Sequence, residues 1–212
     1  MAANRLRVFI TGASSGLGAA LARQYAQQGA MLGLVARRNE VLQELKATLP
    51  NADQHRIYAL DVNDHAALAQ AAADFIQSAQ GIDVVIANAG ISRGTLTEYA
   101  EDLQVFEQVF ATNVTATVAT FSPFIPTMQA QAAAGQTNCR LVGIGSVAGI
   151  RGLPGAGAYS ASKSAVISYC ESLRVELKMS GIKVVTIAPG YIDTPMTQIN
   201  DYAMPFLMPA EK

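Results

Sequence analysis

The stretch Leu6-Arg7-Val8-Phe9-Ile10-Thr11-Gly12-Ala13-Ser14-Ser15-Gly16-Leu17-Gly18 decides how the rest of the chain is read. The apolar run over 6–10 predicts a first strand. A helical pattern follows over 17–28, with Ala20, Leu21 and Tyr25 in register. Between them lies a turn carrying Gly12, Gly16 and Gly18. A glycine-rich turn from strand to helix points backbone N–H groups and the helix's positive end at a bound phosphate. Glycine lets the backbone bend there and lets a ligand come close. The spacing is G-x-x-x-G-x-G, which is neither the commoner G-x-G-x-x-G nor a P-loop.

The same strand-then-helix alternation repeats downstream. Residues 31–35 form a second apolar run. Dinucleotide binders that take NAD carry an acid at the end of this strand, about 20 residues past the glycines, for the ribose 2′-hydroxyl. Here that position is Ala36, followed by Arg37 and Arg38. Two guanidiniums and no acid suit a 2′-phosphate, so NADP(H) is the preferred cofactor. NAD(H) stays open, and a solvated arginine pair at a helix start is the plain alternative. An amphipathic helix over 40–49 ends at Pro50. A third strand over 56–60 runs into Asp61 and Val62, and Asp64 is a candidate N-cap for a helix over 66–80. Asp61 has two readings, an acceptor for an adenine amino group or a turn carboxylate.

Residues 82–87 are nearly all apolar, as expected of a parallel strand covered on both faces. They lead into Asn88, Ala89 and Gly90, small residues at the carboxyl edge where open α/β sheets bind ligands. A long helical stretch over 102–134, broken by Pro123 and Pro126, has an apolar face of Phe106, Val109, Phe110, Val114 and Val118. Asn113 sits inside it, where asparagine competes for backbone hydrogen bonds. It is either a buried, satisfied amide or the mark of a helix distortion that orders a water. A fifth strand over 140–145 ends at Ser146. A sixth over 184–188 precedes Pro189, Gly190 and an apolar tail that includes Met196, Tyr202, Phe206 and Met208. The alternation predicts an α/β, Rossmann-like doubly wound parallel sheet with helices on both faces and strand order 3-2-1-4-5-6.

Composition narrows the function. The 212 residues suit one domain with a sizeable core. Half are apolar and 15% are charged, which argues against disorder. The net charge of −1 proposes neither nucleic acid nor an anionic membrane as partner. Cys139 and Cys170 read as reduced core thiols of a cytoplasmic protein. His55 and His65 have no ligand-spaced neighbours, so no metal is expected. No leader is expected before the first strand, and no run approaches the ~18 residues of a membrane helix.

The chemistry concentrates between Ser146 and Lys163. A loop with Gly149, Gly152, Gly155 and Gly157 links the serine to a helix carrying Tyr159 and Lys163, four residues apart and so on one face. A cation beside a tyrosine favours the phenolate and lowers a pKa that starts near ~10. Such a phenol can give and take a proton, while the serine hydroxyl polarises a carbonyl. The helix runs to about residue 179, with a core stripe of Val166, Cys170, Leu173 and Leu177. A second face of Ala161, Ser164, Ala165, Ser168 and Ser172 hints at a subunit contact.

Taken together, T-G-x-x-x-G-x-G at 11–18, N-A-G at 88–90, Asn113, Ser146, Y-x-x-x-K at 159–163 and P-G at 189–190 resemble the short-chain dehydrogenase/reductase family, over residues 5–197. The resemblance implies a catalytic tetrad of Asn113, Ser146, Tyr159 and Lys163. Tyr159 would be the general acid/base, Ser146 would hold the substrate oxygen, Lys163 would bind the nicotinamide ribose and tune Tyr159, and Asn113 would position a water. It further implies cofactor contacts from Gly12, Ser14, Ser15, Gly16, Leu17, Gly18, Arg37, Arg38, Asp61, Val62, Asn88, Ala89, Gly90, Tyr159, Lys163, Pro189, Gly190, Ile192 and Thr194. Substrate contacts are expected from residues 147–157 and from the segment after Gly190. The implied activity is hydride transfer between NADP(H) and a small-molecule carbonyl or secondary alcohol, in a homodimer or homotetramer. A non-catalytic dinucleotide-binding regulator is the alternative from another class. The family also implies a further helix and a seventh strand beyond this chain, and the tail reads as the opening of that helix.

Overall fold

The computed structural model of the chain describes residues 5–199, 201 and 203–211. Strands β1 (Arg7–Thr11), β2 (Met31–Ala36), β3 (Arg56–Ala59), β4 (Val84–Ala87), β5 (Arg140–Ile144) and β6 (Lys183–Ile187) form one parallel sheet. Their order is β3-β2-β1-β4-β5-β6, as the alternation predicts. The expected carboxyl-edge crevice opens where the order reverses, between β1 and β4.

Strand periodicity divides the apolar residues between two cores. Val8, Ile10, Leu32, Leu34, Val84, Ile86, Val142 and Ile144 face helices α1 (Gly16–Gln27) and α2 (Asn39–Thr48), which contribute Ala19, Ala22, Ala26, Leu42 and Leu45. Phe9, Val35, Val85 and Leu141 face the other way. There α3 (His65–Ala79), α5 (Ala116–Phe121) and α7 (Gly157–Glu176) supply Leu68, Phe75, Phe121, Val166 and Cys170. Phe9 packs between Phe75 and Phe124 with its ring tilted to both, at ring separations of 5.6 and 4.8 Å. Gly33 makes room for this cluster, since a Cβ there would stand 2.7 Å from Phe9 and 2.8 Å from Phe75. Asp64 caps α3, its Oδ1 accepting from the Ala67 amide at 3.0 Å.

The stretch over 102–134 departs from a simple broken helix. It divides into α4 (Asp102–Phe110), a π-helical turn (Ala111–Thr115), α5, a short 3-10 turn at Ser122–Phe124 and α6 (Ile125–Ala133). Of the expected apolar face, Val109 is buried, whereas Phe106 and Val118 are 37% and 38% exposed. The wider π turn rotates α5 relative to α4, so one stripe cannot run the whole length. The tail is also corrected. It forms no helix. Its β8 (Met208–Pro209) pairs in parallel with β7 (Ile192–Asp193) as a separate two-stranded sheet. Tyr202 lies outside the described residues. The small-residue face of α7 is largely exposed, and both cysteines are buried. Among the described residues no helix is long and apolar enough to cross a membrane.

Candidate active site

A cavity of about 600 Å³ lies along the carboxyl edge of the sheet. Most of the anticipated residues border it. From the first turn come Gly12, Ser14, Ser15, Gly16 and Leu17; from the end of β2, Arg37 and Arg38; from the end of β3, Asp61 and Val62. Asn88, Ala89 and Gly90 follow β4, Ser146 follows β5, Tyr159 and Lys163 come from α7, and Pro189, Gly190, Ile192 and Thr194 follow β6.

Two anticipated residues do not border it. Gly18 is buried inside α1, where a Cβ would stand 2.6 Å from the Asn88 amide nitrogen and closer still to the Gly12 carbonyl oxygen. Its role is to let helix and loop pack. Asn113 is 1% exposed, in the π turn. Its Oδ1 accepts from the Ile91 amide at 2.8 Å, and its Nδ2 donates to the Ile91 carbonyl at 3.0 Å and to Ser162 Oγ at 2.9 Å. Both readings of Asn113 are therefore partly met. The amide is buried and satisfied, and the helix is distorted around it. The side chain clamps the loop after β4 onto α7. None of residues 147–157 borders the cavity, while the segment after Gly190 does, through Ile192, Thr194, Pro195, Met196 and Thr197.

The catalytic candidates are held from the backbone outward. Ser146 caps a 3-10 turn (Val147–Gly149), its Oγ accepting from the Ala148 amide at 3.1 Å. That contact uses a lone pair and leaves the hydroxyl proton to donate elsewhere. Lys163 is 5% exposed, and its Nζ donates to the Ile144 carbonyl at the end of β5, at 2.8 Å. The same nitrogen lies 5.7 Å from the centre of the Tyr159 ring. Burial alone lowers Lys163 to about 8. A Cβ on Gly90 would stand 3.1 Å from Asn113 Oδ1 and 3.5 Å from Lys163 Nζ, so glycine keeps this junction open.

The glycine loop is closely packed against its neighbours and leaves no room for side chains at two of its glycines. Gly12 and Gly16 have φ of 68° and 51°, a region that favours glycine. A Cβ on Gly12 would meet Ala89 at 2.8 Å, and one on Gly16 would meet Thr194 at 2.9 Å. At the far end, Arg38 donates to Ser14 Oγ at 3.3 Å, which fastens the exposed guanidinium to the loop. Asp61 Oδ1 accepts from the Asn63 amide at 2.9 Å, the turn arrangement foreseen as one of its two readings.

Thr11 opens the glycine motif, and its residue type alone assigns it no role. Its hydroxyl, 1% exposed, accepts from the amides of Asn88 at 3.1 Å and Ala89 at 3.2 Å. It joins the ends of β1 and β4 beneath the cavity. Thr11→Val keeps the shape and strips both amides of their acceptor. We expect a loss of about 1–3 kcal/mol in urea unfolding, with Thr11→Ser close to wild type.

A family profile described as short chain dehydrogenase matches residues 7–203. The chain belongs to the short-chain dehydrogenase/reductase family. An uncharacterized oxidoreductase of Myxococcus xanthus is 38% identical, over 94% of this chain and 77% of its own length. A sulfoacetaldehyde reductase of Chromohalobacter salexigens is 34% identical, over 91% and 74%. Among solved structures, a short-chain dehydrogenase from Streptomyces avermitilis superposes with a TM-score of 0.82 at 29% identity, covering 91% of this chain and 68% of that one. A 3-ketoacyl-(acyl-carrier-protein) reductase from Brucella melitensis, complexed with NADH, shares the fold with a TM-score of 0.88 at 24% identity, over 98% and 86%. This short-chain dehydrogenase/reductase is thus an oxidoreductase of a family that binds NAD(H) or NADP(H). The crowded glycine loop and the arginines beside it fit such a dinucleotide.

Two further residues escaped the sequence reading. Ser162 Oγ accepts from Asn113 and donates to the Tyr159 carbonyl at 2.7 Å, yet a serine beside a lysine on a helix carries no signal of that. Arg93 borders the cavity as well, and only its place just past the N-A-G motif pointed there.

Proposed function

We propose that the protein is an NADP(H)-dependent carbonyl reductase or alcohol dehydrogenase in which Tyr159 is the general acid/base. The observation that carries the reading is that Ser146, Tyr159 and Lys163 all line the sheet-edge cavity, with the buried lysine nitrogen 5.7 Å from the centre of the tyrosine ring. NADP(H), held by the glycine loop and the arginines after β2, would supply or accept the hydride. The protein does the rest. Ser146, its lone pair engaged by Ala148, directs its proton at the substrate oxygen. Tyr159 gives its phenolic proton to that oxygen in reduction and takes it back in oxidation. Lys163, anchored on Ile144, holds its remaining donors for the tyrosine and for a ribose. Asn113 acts at one remove, fixing the loop that carries Ile91 against α7. The name of the sulfoacetaldehyde reductase supports carbonyl reduction.

NADPH consumption with a panel of aldehydes and ketones tests the activity. No consumption with any of them, while NADP(H) binds tightly, would turn the reading to a dinucleotide-binding regulator. Cofactor choice has its own test. Arg37 and Arg38 border the cavity just past β2, which supports their reading a 2′-phosphate, and Arg38 is already fastened to Ser14. Replacing both by alanine should weaken NADP binding about 10-fold or more by calorimetry and leave NAD binding nearly unchanged. Equal losses for both cofactors would remove the arginines from that role.

A further inference from the structure

We infer that Arg93 is a specificity-determining residue that receives the negatively charged head of the substrate, so that the carbonyl compound this protein reduces is an anion. The inference rests on the reductase reading for its word "substrate", and on a separate set of observations for the residue.

The first observation is charge. The side chains that border the cavity include four cations, Arg37, Arg38, Arg93 and Lys163, and one acid, Asp61. Arg38 is engaged with Ser14, Lys163 with Ile144, and Asp61 with Asn63. Arg93 is exposed and has no hydrogen-bond or ion-pair partner among the described residues. An unpaired guanidinium offers five donors in a planar fork that matches a carboxylate two-to-two.

The second observation is place. Arg37 and Arg38 follow β2, whereas Arg93 follows β4, with β1 between them. Two strand spacings put the ends of β2 and β4, from which the two segments start, roughly 10 Å apart across the sheet edge. The neighbour of β4 on the other side is β5, which ends at Ile144, two residues before Ser146. The loop bearing Arg93 is anchored on both sides of it. Ile91 is clamped by Asn113 through two hydrogen bonds. Thr95 donates its amide to the Gly155 carbonyl at 2.9 Å, and its hydroxyl accepts from the Ala158 amide at 3.3 Å, next to Tyr159. Arg93 is therefore strung between the Asn113 clamp and the opening turn of the tyrosine helix. It belongs to the reacting end of the cavity, away from the arginine pair assigned to the 2′-phosphate.

The test compares wild type with Arg93→Gln and Arg93→Lys, each saturated with NADP(H). A series of short oxo acids is paired, member by member, with the neutral oxo amides. Wild type should favour the acids by about 10-fold or more in kcat/KM. Arg93→Gln should erase that preference, leaving the amides and the KM for NADPH unchanged, and Arg93→Lys should restore part of it. In parallel, calorimetric titration of the NADP+ complex with butanoate, which cannot be reduced, should show about 10-fold weaker binding to Arg93→Gln than to wild type. Four results overturn the inference: a wild type that prefers amides, equal losses on acids and amides, an effect on the KM for NADPH alone, or butanoate binding indifferent to the substitution. The titration needs no turnover. Arg93-dependent butanoate binding in a protein that reduces nothing would reject the reductase reading and leave the anion site standing.

Discussion

Tyr159→Phe will lower NADPH-dependent carbonyl turnover by about 10²–10⁴-fold, the range that a positioned general acid contributes. The substitution removes one oxygen. The ring that Lys163 Nζ approaches to 5.7 Å stays in place, as does the bond from that nitrogen to Ile144. Unfolding midpoint and NADP(H) affinity should therefore be those of wild type, and the loss should fall on kcat. Steady-state absorbance of NADPH measures the rate, and calorimetry measures the cofactor. Comparable turnover by the two proteins would take the proton transfer away from Tyr159. A parallel fall in cofactor affinity would mean that the hydroxyl binds instead of reacting.

Gly18→Ala will cost the fold at least about 1–3 kcal/mol and weaken NADP(H) binding with it. The added methyl collides with the Gly12 carbonyl and would lie 2.6 Å from Asn88 Nδ2. The Asn88 amide group donates to the Thr11 and Gly12 carbonyls at 3.0 and 3.2 Å. Relief of the collision must move α1 away from the loop or break that tie, and both deform the cradle that Gly12 and Gly16 shape. Gly152 supplies the control. A Cβ there meets nothing within 4 Å and needs no left-handed backbone, so Gly152→Ala should lie within about 0.5 kcal/mol of wild type. Equal effects at the two positions, by urea unfolding, would mean that the helix accommodates the methyl by a shift too small to matter.

These contrasts explain what the sequence made legible. Strand order followed from apolar runs alternating with helices, because a parallel strand buried on both faces must be apolar almost throughout. Asp64 as an N-cap and Ser146 at a strand end are local signals, complete within a few residues. Asn113 was half legible. Its poor fit to a helix interior marked a distortion, but its partners, Ile91 and Ser162, are 22 and 49 residues away and leave no local trace. The tail misled for the opposite reason. Its apolar content suits a helix, whereas β8 is held by pairing with β7, a contact that only the fold supplies. Arg93 was missed because an arginine in a loop reads as solvated until the cavity behind it is seen.

Lys163 leaves one mark on the molecule as a whole. With its value near 8 in the folded chain and 10.5 when free in solution, the unfolded chain holds the extra proton between those limits. Stability therefore rises with pH from about 8 to 10.5, and below 8 the buried charge subtracts roughly 3 kcal/mol. A methionine at this position would remove that penalty, offset in part by the loss of the bond to the Ile144 carbonyl. On the reading proposed above, the amine is a compromise, in which resilience to heat is surrendered for the charge it brings to the cleft.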